Sequence, residues 1–312
     1  MAKQILITDT MFIFPEHEEK LKKAGFEIQR LNGPNITEEE LVAAIKGKSG
    51  YILGGDEKIT NKVIDSADKL EAIVFTGADW RNFITAHELA TSKGIKIANA
   101  PGANTDAVAE YTLALMLSMT RDLFELGKTG SKTFETTNSI FSSSVGIVGL
   151  GHIGQKLVEM LKGIGVKDIY YYSFNRKPEL ESGLGIKYLS FDELLSTCDI
   201  ISLHTSKETG EGYFGKGQLG KMKNDSLLID ASFNTAINRD DLYNELKNGR
   251  IRAALDHAVD ERFKELPLSI FFNSNAHTAY NTKQANGLVS DMVTQSIINI
   301  LNNGMDQYVD NR

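Results

Sequence analysis

The ten residues Val145-Gly146-Ile147-Val148-Gly149-Leu150-Gly151-His152-Ile153-Gly154 leave few folds open to this chain. An apolar run with strand character leads straight into glycines spaced G-x-G-x-x-G. The apolar residues that follow, Leu157, Val158 and Leu161, recur at helical spacing. Such a glycine pattern alone is weak, because glycine-rich turns are common; a strand before it and a helix after it give it meaning. In that context Gly149 permits the tight turn, Gly151 lets the backbone approach a pyrophosphate, and Gly154 allows close helix–strand packing. N–H groups at the helix start, where His152 and Ile153 lie, would stabilise the anion together with the helix dipole. The competing reading is a purely structural strand-to-helix turn.

The rest of the chain agrees with a doubly wound architecture. Short apolar runs at Ile5–Thr8, Glu27–Leu31, Gly50–Leu53 and Ala72–Phe75 alternate with helical patterns at Glu16–Ala24, Glu38–Lys46 and Lys62–Ala67. Such alternation implies parallel sheets covered by helices on both faces. A long helical segment is expected from Thr105 to about Leu126. A second β–α series then runs from Val145 to about His277, and a last helix over Thr282–Asn302 is long enough to return to the first domain. The expected fold is α/β with two doubly wound parallel-sheet domains: a Rossmann cofactor domain over 100–283, inserted into a flavodoxin-like domain over 1–99 plus 284–312.

Composition narrows the class. With 41% hydrophobic and 24% charged residues the chain is globular, and 312 residues suffice for two domains. A net charge of -7 without a concentrated basic run argues against a nucleic-acid partner. No apolar stretch approaches the roughly 18 residues needed to span a bilayer, so no membrane role is expected. The lone cysteine, Cys198, cannot form an intrachain disulfide or a cysteine-rich zinc site. That fits a reducing compartment, and with no signal-peptide pattern at the N-terminus it suggests a cytoplasmic enzyme.

The strand Ile169–Tyr172 ends where a dinucleotide site reads its ribose. NAD sites usually carry Asp or Glu there, to accept from the 2′-hydroxyl. Here the segment is Ser173-Phe174-Asn175-Arg176-Lys177. A carboxylate would repel a 2′-phosphate, whereas Ser, Arg and Lys can bind one through charge-assisted hydrogen bonds. NADP is therefore favoured, with NAD possible. The bland reading leaves Arg176 and Lys177 on a solvated turn.

Three stretches resemble the D-2-hydroxyacid dehydrogenase family, which includes phosphoglycerate, glyoxylate/hydroxypyruvate and D-lactate dehydrogenases. They are Asn99–Asn104 with Val108–Glu110, Gly149–Gly154, and Leu242–Asp256 followed by His277. The Ser173–Lys177 segment is similar to the phosphate-binding turn of NADP-using glyoxylate reductases. The resemblance covers nearly the whole length. It implies that His277 exchanges a proton with the substrate's 2-hydroxyl as hydride moves to or from nicotinamide. It also implies that Glu261, five residues after Asp256, hydrogen-bonds that histidine and raises its pKa. Independently of family, imidazole titrates near neutrality and a carboxylate partner tunes it. Asp256 matches a position near the nicotinamide carboxamide, or it merely ends its strand. Backbone N–H groups near Gly77 and Ala78 would help hold a substrate carboxylate. The family usually dimerises through its cofactor domain, which makes a homodimer the expected assembly.

The chain also departs from the pattern. In Leu227-Leu228-Ile229-Asp230-Ala231-Ser232-Phe233-Asn234-Thr235, Phe233 stands where the resemblance expects the arginine that clamps the substrate carboxylate, and Asn234 replaces the following glycine. Phenylalanine carries no charge and donates no hydrogen bond. The loss should weaken turnover of ordinary 2-oxoacids on the order of 10³-fold or more. Ala276 replaces the proline before the histidine, and the loop after His204 lacks its usual Pro-Leu-Thr. Arg81 or Lys58 is a candidate replacement cation, though solvent exposure is the plainer expectation for both. Trp80 either lines the pocket or packs in a core. His204 and His257 show no ligand spacing of a known metal type, so no metal is expected. Two readings remain: an oxidoreductase acting on a 2-oxo or 2-hydroxy acid or related carbonyl compound with atypical substrate binding, or a catalytically impaired NADP(H)-binding regulatory or sensor protein.

Overall fold

Strands whose residues are apolar on both faces become the interior of each sheet, and the more polar ones its edges. The computed structural model describes residues 2–8, 11–33, 36–130, 136–205, 212–232, 236–274 and 276–311. They form two compact units, one of residues 1–104 with 281–312 and one of residues 105–280.

In the first unit β1 (Gln4–Ile7), β2 (Glu27–Arg30), β3 (Gly50–Leu53), β4 (Ala72–Phe75) and β5 (Lys96–Ala98) form one parallel sheet, ordered β2-β1-β3-β4-β5. Every residue of β3 and β4 is buried, which is why both read as continuous apolar runs. Edge strand β2 alternates exposed and half-buried residues and carries Glu27 and Arg30. The helix Lys283–Asn303 covers β3 and β4, begins on a Thr282 cap and buries Ile297 and Leu301. A Cβ at Gly50 would lie 2.9 Å from Ile297 and 3.0 Å from Leu301, so the glycine lets that helix approach. The chain then straps the outer edge of the sheet. Val309 makes an antiparallel bridge to Ala98, and Asn311 Oδ1 accepts from the Ile97 N–H at 2.7 Å.

The second unit is also wholly parallel. Strands β6 (Val145–Val148), β7 (Ile169–Tyr172), β8 (Lys187–Tyr188), β9 (Ile200–Leu203), β10 (Leu227–Asp230), β11 (Arg252–Leu255) and β12 (Phe271–Asn273) run in the order β12-β11-β10-β9-β6-β7-β8. The order reverses between β6 and β9, the switch point at which doubly wound sheets bind ligands. One core lies on the side of helices Thr105–Thr120 and His152–Gly163, with Ile147, Leu157 and Met116. The other lies under helices Phe191–Thr197 and Arg239–Lys247, with Leu194, Leu228 and Leu242.

The expected helix from Thr105 to Leu126 is two helices, Thr105–Thr120 and Leu123–Thr129. Asp122 breaks it. Its backbone is left-handed (φ 51), a conformation that Asp tolerates better than most residues. Its carboxylate lies 3.5 Å from Arg252, which also donates to the Met119 carbonyl at 2.9 Å. That carbonyl sits in the last turn of the first helix, so the partner that closes the helix end comes from β11 and carries no local sequence signal.

Candidate active site

The glycine loop opens at the switch point, directly after β6. Gly149 has φ +99, and a Cβ there would stand 2.2 Å from the His204 carbonyl oxygen. Only glycine fits. A Cβ on Gly154 would meet the Gly149 carbonyl at 2.3 Å, so this residue brings helix and loop together. Gly151, the helix N-cap, is different: a Cβ there would have nothing within 4 Å. Open space before the N–H groups of a 12-residue helix led by His152 and Ile153 suits a pyrophosphate, on backbone geometry alone.

The next strand brings the ribose-reading segment beside that loop, since β6 and β7 pair directly. Lys177 reaches back to the loop itself, its Nζ 2.8 Å from the Leu150 carbonyl. Ser173 turns inward to the Asn175 carbonyl. Arg176 is not loose on a solvated turn. Its Nε and Nη2 donate to the two oxygens of Glu181 at 2.8 and 2.9 Å, and its guanidinium lies 5.1 Å from the Tyr188 ring. The Tyr171 hydroxyl donates to the same carboxylate at 2.8 Å. Together Arg176 and Tyr171 hold the Glu181 carboxyl below its usual range, and Glu181 raises Arg176 in turn. Sequence reasoning missed Glu181. Its signal was an acid five residues past the arginine, in the first turn of helix Pro178–Leu184.

His277 follows β12. Its Nδ1 lies 3.2 Å from the Asp256 carbonyl oxygen and 3.5 Å from the Asp256 carboxylate. A carbonyl only accepts, so in that bond Nδ1 carries the proton and Nε2 is the basic nitrogen. Asp256 is fully buried at the end of β11. Its carboxylate accepts from the Thr278 and Ala279 N–H groups at 2.9 and 2.6 Å, the Thr278 hydroxyl at 2.9 Å and the Ser274 hydroxyl at 2.7 Å. These bonds fasten the segment on both sides of His277 to the sheet. Asp256 thus positions the histidine loop, and its carboxylate is committed within the protein rather than presented to a carboxamide.

Glu261 lies elsewhere. It opens a short 3-10 turn, its side chain is 85% exposed, and it pairs with Lys264 at 2.7 Å. Among the described residues no hydrogen bond or ion pair joins it to His277. Asp260 caps this turn, its carboxylate accepting from the Arg262 N–H at 3.1 Å. Phe233, Asn234 and most of the loop after His204 lie outside the described residues.

A polar chain that sequence reasoning did not assemble crosses the ends of β10 and β11. Arg239 Nη2 donates to His257 Nδ1 at 2.7 Å, and His257 Nε2 donates to the fully buried Asp230 at 3.0 Å. Burial lowers the pKa of Arg239 despite the charges of Asp230 and Asp260. His204 lies one strand over, 2.9 Å from the Ser202 hydroxyl. Burial pushes its pKa down to about 4, against the opposing pull of Asp230. The two histidines hydrogen-bond different groups, and no group of three metal-ligating side chains occurs among the described residues.

In the first unit, the Gly77 carbonyl accepts from Ala100 N at 3.0 Å and the Ala78 carbonyl from Asn99. The N–H groups of Gly77 and Ala78 donate to nothing among the described residues. Arg81 is committed to Asp79 and to Asp310, at 3.2 and 3.1 Å. Lys58 donates to the Asn82 carbonyl and lies over the Phe83 ring. Trp80 is a core residue, 3% exposed, with its indole N–H 3.2 Å from Asp310.

The model of the D-isomer specific 2-hydroxyacid dehydrogenase NAD-binding domain matches residues 113–279. The chain belongs to this family. Its second unit is accordingly the family's NAD-binding domain. The D-3-phosphoglycerate dehydrogenase of Methanocaldococcus jannaschii is 31% identical over 99% of this chain but only 59% of its own length. A second such relative, from Archaeoglobus fulgidus, is matched over 54% of its length, so the chain spans little more than half of these two proteins. The glyoxylate reductase of Thermococcus litoralis is 30% identical, with 96% of this chain and 93% of that protein covered. A glyoxylate reductase structure from Paecilomyes thermophila superposes with a TM-score of 0.85 at 21% identity, covering 99% of this chain and 98% of that one. At that identity the likeness speaks for the two-sheet fold alone.

Proposed function

We propose that the chain is a nicotinamide-dependent oxidoreductase that moves a hydride between the cofactor and a 2-oxo or 2-hydroxy acid, or a related carbonyl compound, and that it favours NADP over NAD. The observation that carries this reading is a glycine turn open at Gly151 in the same unit as a histidine fastened by Asp256. The helix N-terminus suits the pyrophosphate, and Ser173, Arg176 and Lys177 are the candidates for a ribose 2′-phosphate, each of which would have to exchange its present partner in the protein for that ligand. Bound there, the dihydronicotinamide supplies the hydride. His277, protonated at Nε2, donates its proton to the carbonyl oxygen as the carbon is reduced, and takes it back in the reverse direction. Arg81 is ion-paired to Asp79 and Asp310 and Lys58 donates to the Asn82 carbonyl, so both cations are already engaged within the first unit.

Glyoxylate and 3-phosphohydroxypyruvate, suggested by the relatives' names, are the first substrates to try. Reduction should be weak in the wild type and rise in Phe233→Arg if the missing charge limits the site. His277→Ala should cost about 10²- to 10⁴-fold in turnover while leaving NADPH binding in place. Absence of turnover across 2-oxoacids, aldehydes and ketones would sink the enzyme reading. That outcome favours the second reading, a cofactor-binding sensor, which the outward Glu261 also favours. A homodimer in a reducing, cytoplasmic setting completes the proposal; sedimentation of the intact chain tests the assembly.

A further inference from the structure

A 2′-phosphate site needs net positive charge, yet Arg176 is half of a closed ion pair. Its Nε/Nη2 edge, the edge that would grip a phosphate with two parallel bonds, is filled by Glu181. The pair is braced on both sides. Tyr171 donates to Glu181 Oε1 at 2.8 Å and itself accepts from the Lys177 N–H at 2.9 Å, while Tyr188 lies against the guanidinium. Glu181 is the better buried partner, its side chain 20% exposed against 56% for Arg176. The carboxylate therefore stays where it is when a ligand arrives, and a 2′-phosphate must either pull the arginine from it or bind beside a like charge. A 2′-hydroxyl, being neutral, meets neither cost.

We infer that Glu181 is a specificity-determining residue that acts through Arg176 and holds down the preference for 2′-phosphorylated cofactors. This rests on the reading of Ser173–Lys177 as the ribose-facing segment. Glu181→Gln keeps the side chain's shape and its acceptor for Tyr171, and removes the charge. Releasing the Nε/Nη2 edge of Arg176 for a charge-assisted hydrogen bond to the phosphate, on an exposed and salt-screened surface, is worth about a three- to tenfold change in affinity.

The test is equilibrium binding to the intact chain, by calorimetry or nucleotide fluorescence. The ligands are NADPH and NADH, together with two fragments that lack nicotinamide, adenosine 2′,5′-bisphosphate and AMP. Glu181→Gln should tighten NADPH and the bisphosphate about three- to tenfold while NADH and AMP change less than twofold, and the gain should shrink at high salt. In the double variant with Arg176→Gln the gain should vanish. An unchanged ratio, a ratio moved toward NADH, or equal changes for both cofactors would overturn the inference. Failure of the underlying NADP reading looks different: it is a wild-type protein that binds NADH more tightly, whatever Glu181→Gln then does to the ratio.

Discussion

Gly149 and Gly151 belong to one motif and make opposite demands. At Gly149 a methyl group would collide with the His204 carbonyl on a backbone at positive φ. Gly149→Ala should therefore destabilise the fold by several kcal/mol, read as a lowered urea midpoint. At Gly151 the methyl meets nothing, so Gly151→Ala should unfold like wild type within about 0.5 kcal/mol, yet bind NADPH at least tenfold more weakly. Wild-type binding by Gly151→Ala would mean that no pyrophosphate approaches there. His204 makes a pH prediction. The unfolded imidazole titrates near 6.5, whereas the folded one refuses a proton until about pH 4. Between those values the unfolded chain binds more protons, so stability is full above pH 6.5 and falls as the pH drops toward 4. The loss is at most about 3 kcal/mol, and less to the extent that the half-buried ring stays hydrated. Denaturant midpoints at pH 7.5 and 4.5 should converge in His204→Gln. At this scale the sequence was legible where backbone geometry dictates the residue, as at the two glycines. It was not legible where a side chain has several partners in reach. The spacing of Glu261 from Asp256 matched the expected acid, but a spacing does not say which way a side chain leaves its turn.

The helix read at Glu38–Lys46 is found over Glu38–Ala44, where Thr37 and Glu40 cap it reciprocally, and Ser190 and Glu193 cap the helix Phe191–Thr197 in the same way. Ser190→Ala should cost about 1 kcal/mol in the urea midpoint by leaving the Glu193 N–H without its acceptor. A helix stopped by a distant partner was not readable, as the break at Asp122 shows. The all-apolar strands announced a sheet covered on both sides, and β–α alternation announced parallel strands, but their order within each sheet is set by long-range packing and was not readable. The chain of Arg239, His257 and Asp230 was invisible because it draws on three elements separated by up to 27 residues.

For the whole molecule, the division into two units makes a ligand-linked expectation. A dinucleotide held by the glycine turn stabilises the unit that folds around it, by about 2.7 kcal/mol at a hundredfold excess over its Kd. Hydrogen exchange with saturating NADPH should slow first in the amides of residues 145–177, and uniform slowing across both units would place binding elsewhere. The two units also differ in how their chain is supplied. One is a continuous stretch from Thr105 to Tyr280, whereas the other needs its first hundred residues and its last thirty together, because Ile297 and Leu301 cover β3 and Asn311 clasps β5. During synthesis the last residue of the continuous unit, Tyr280, is added before the residues that complete the other unit. The earlier-made sheet must wait with the apolar flank of β3 uncovered until the final helix emerges. Order of birth and order of completion are thus reversed in this molecule, and chaperone engagement should concentrate on the half that was made first.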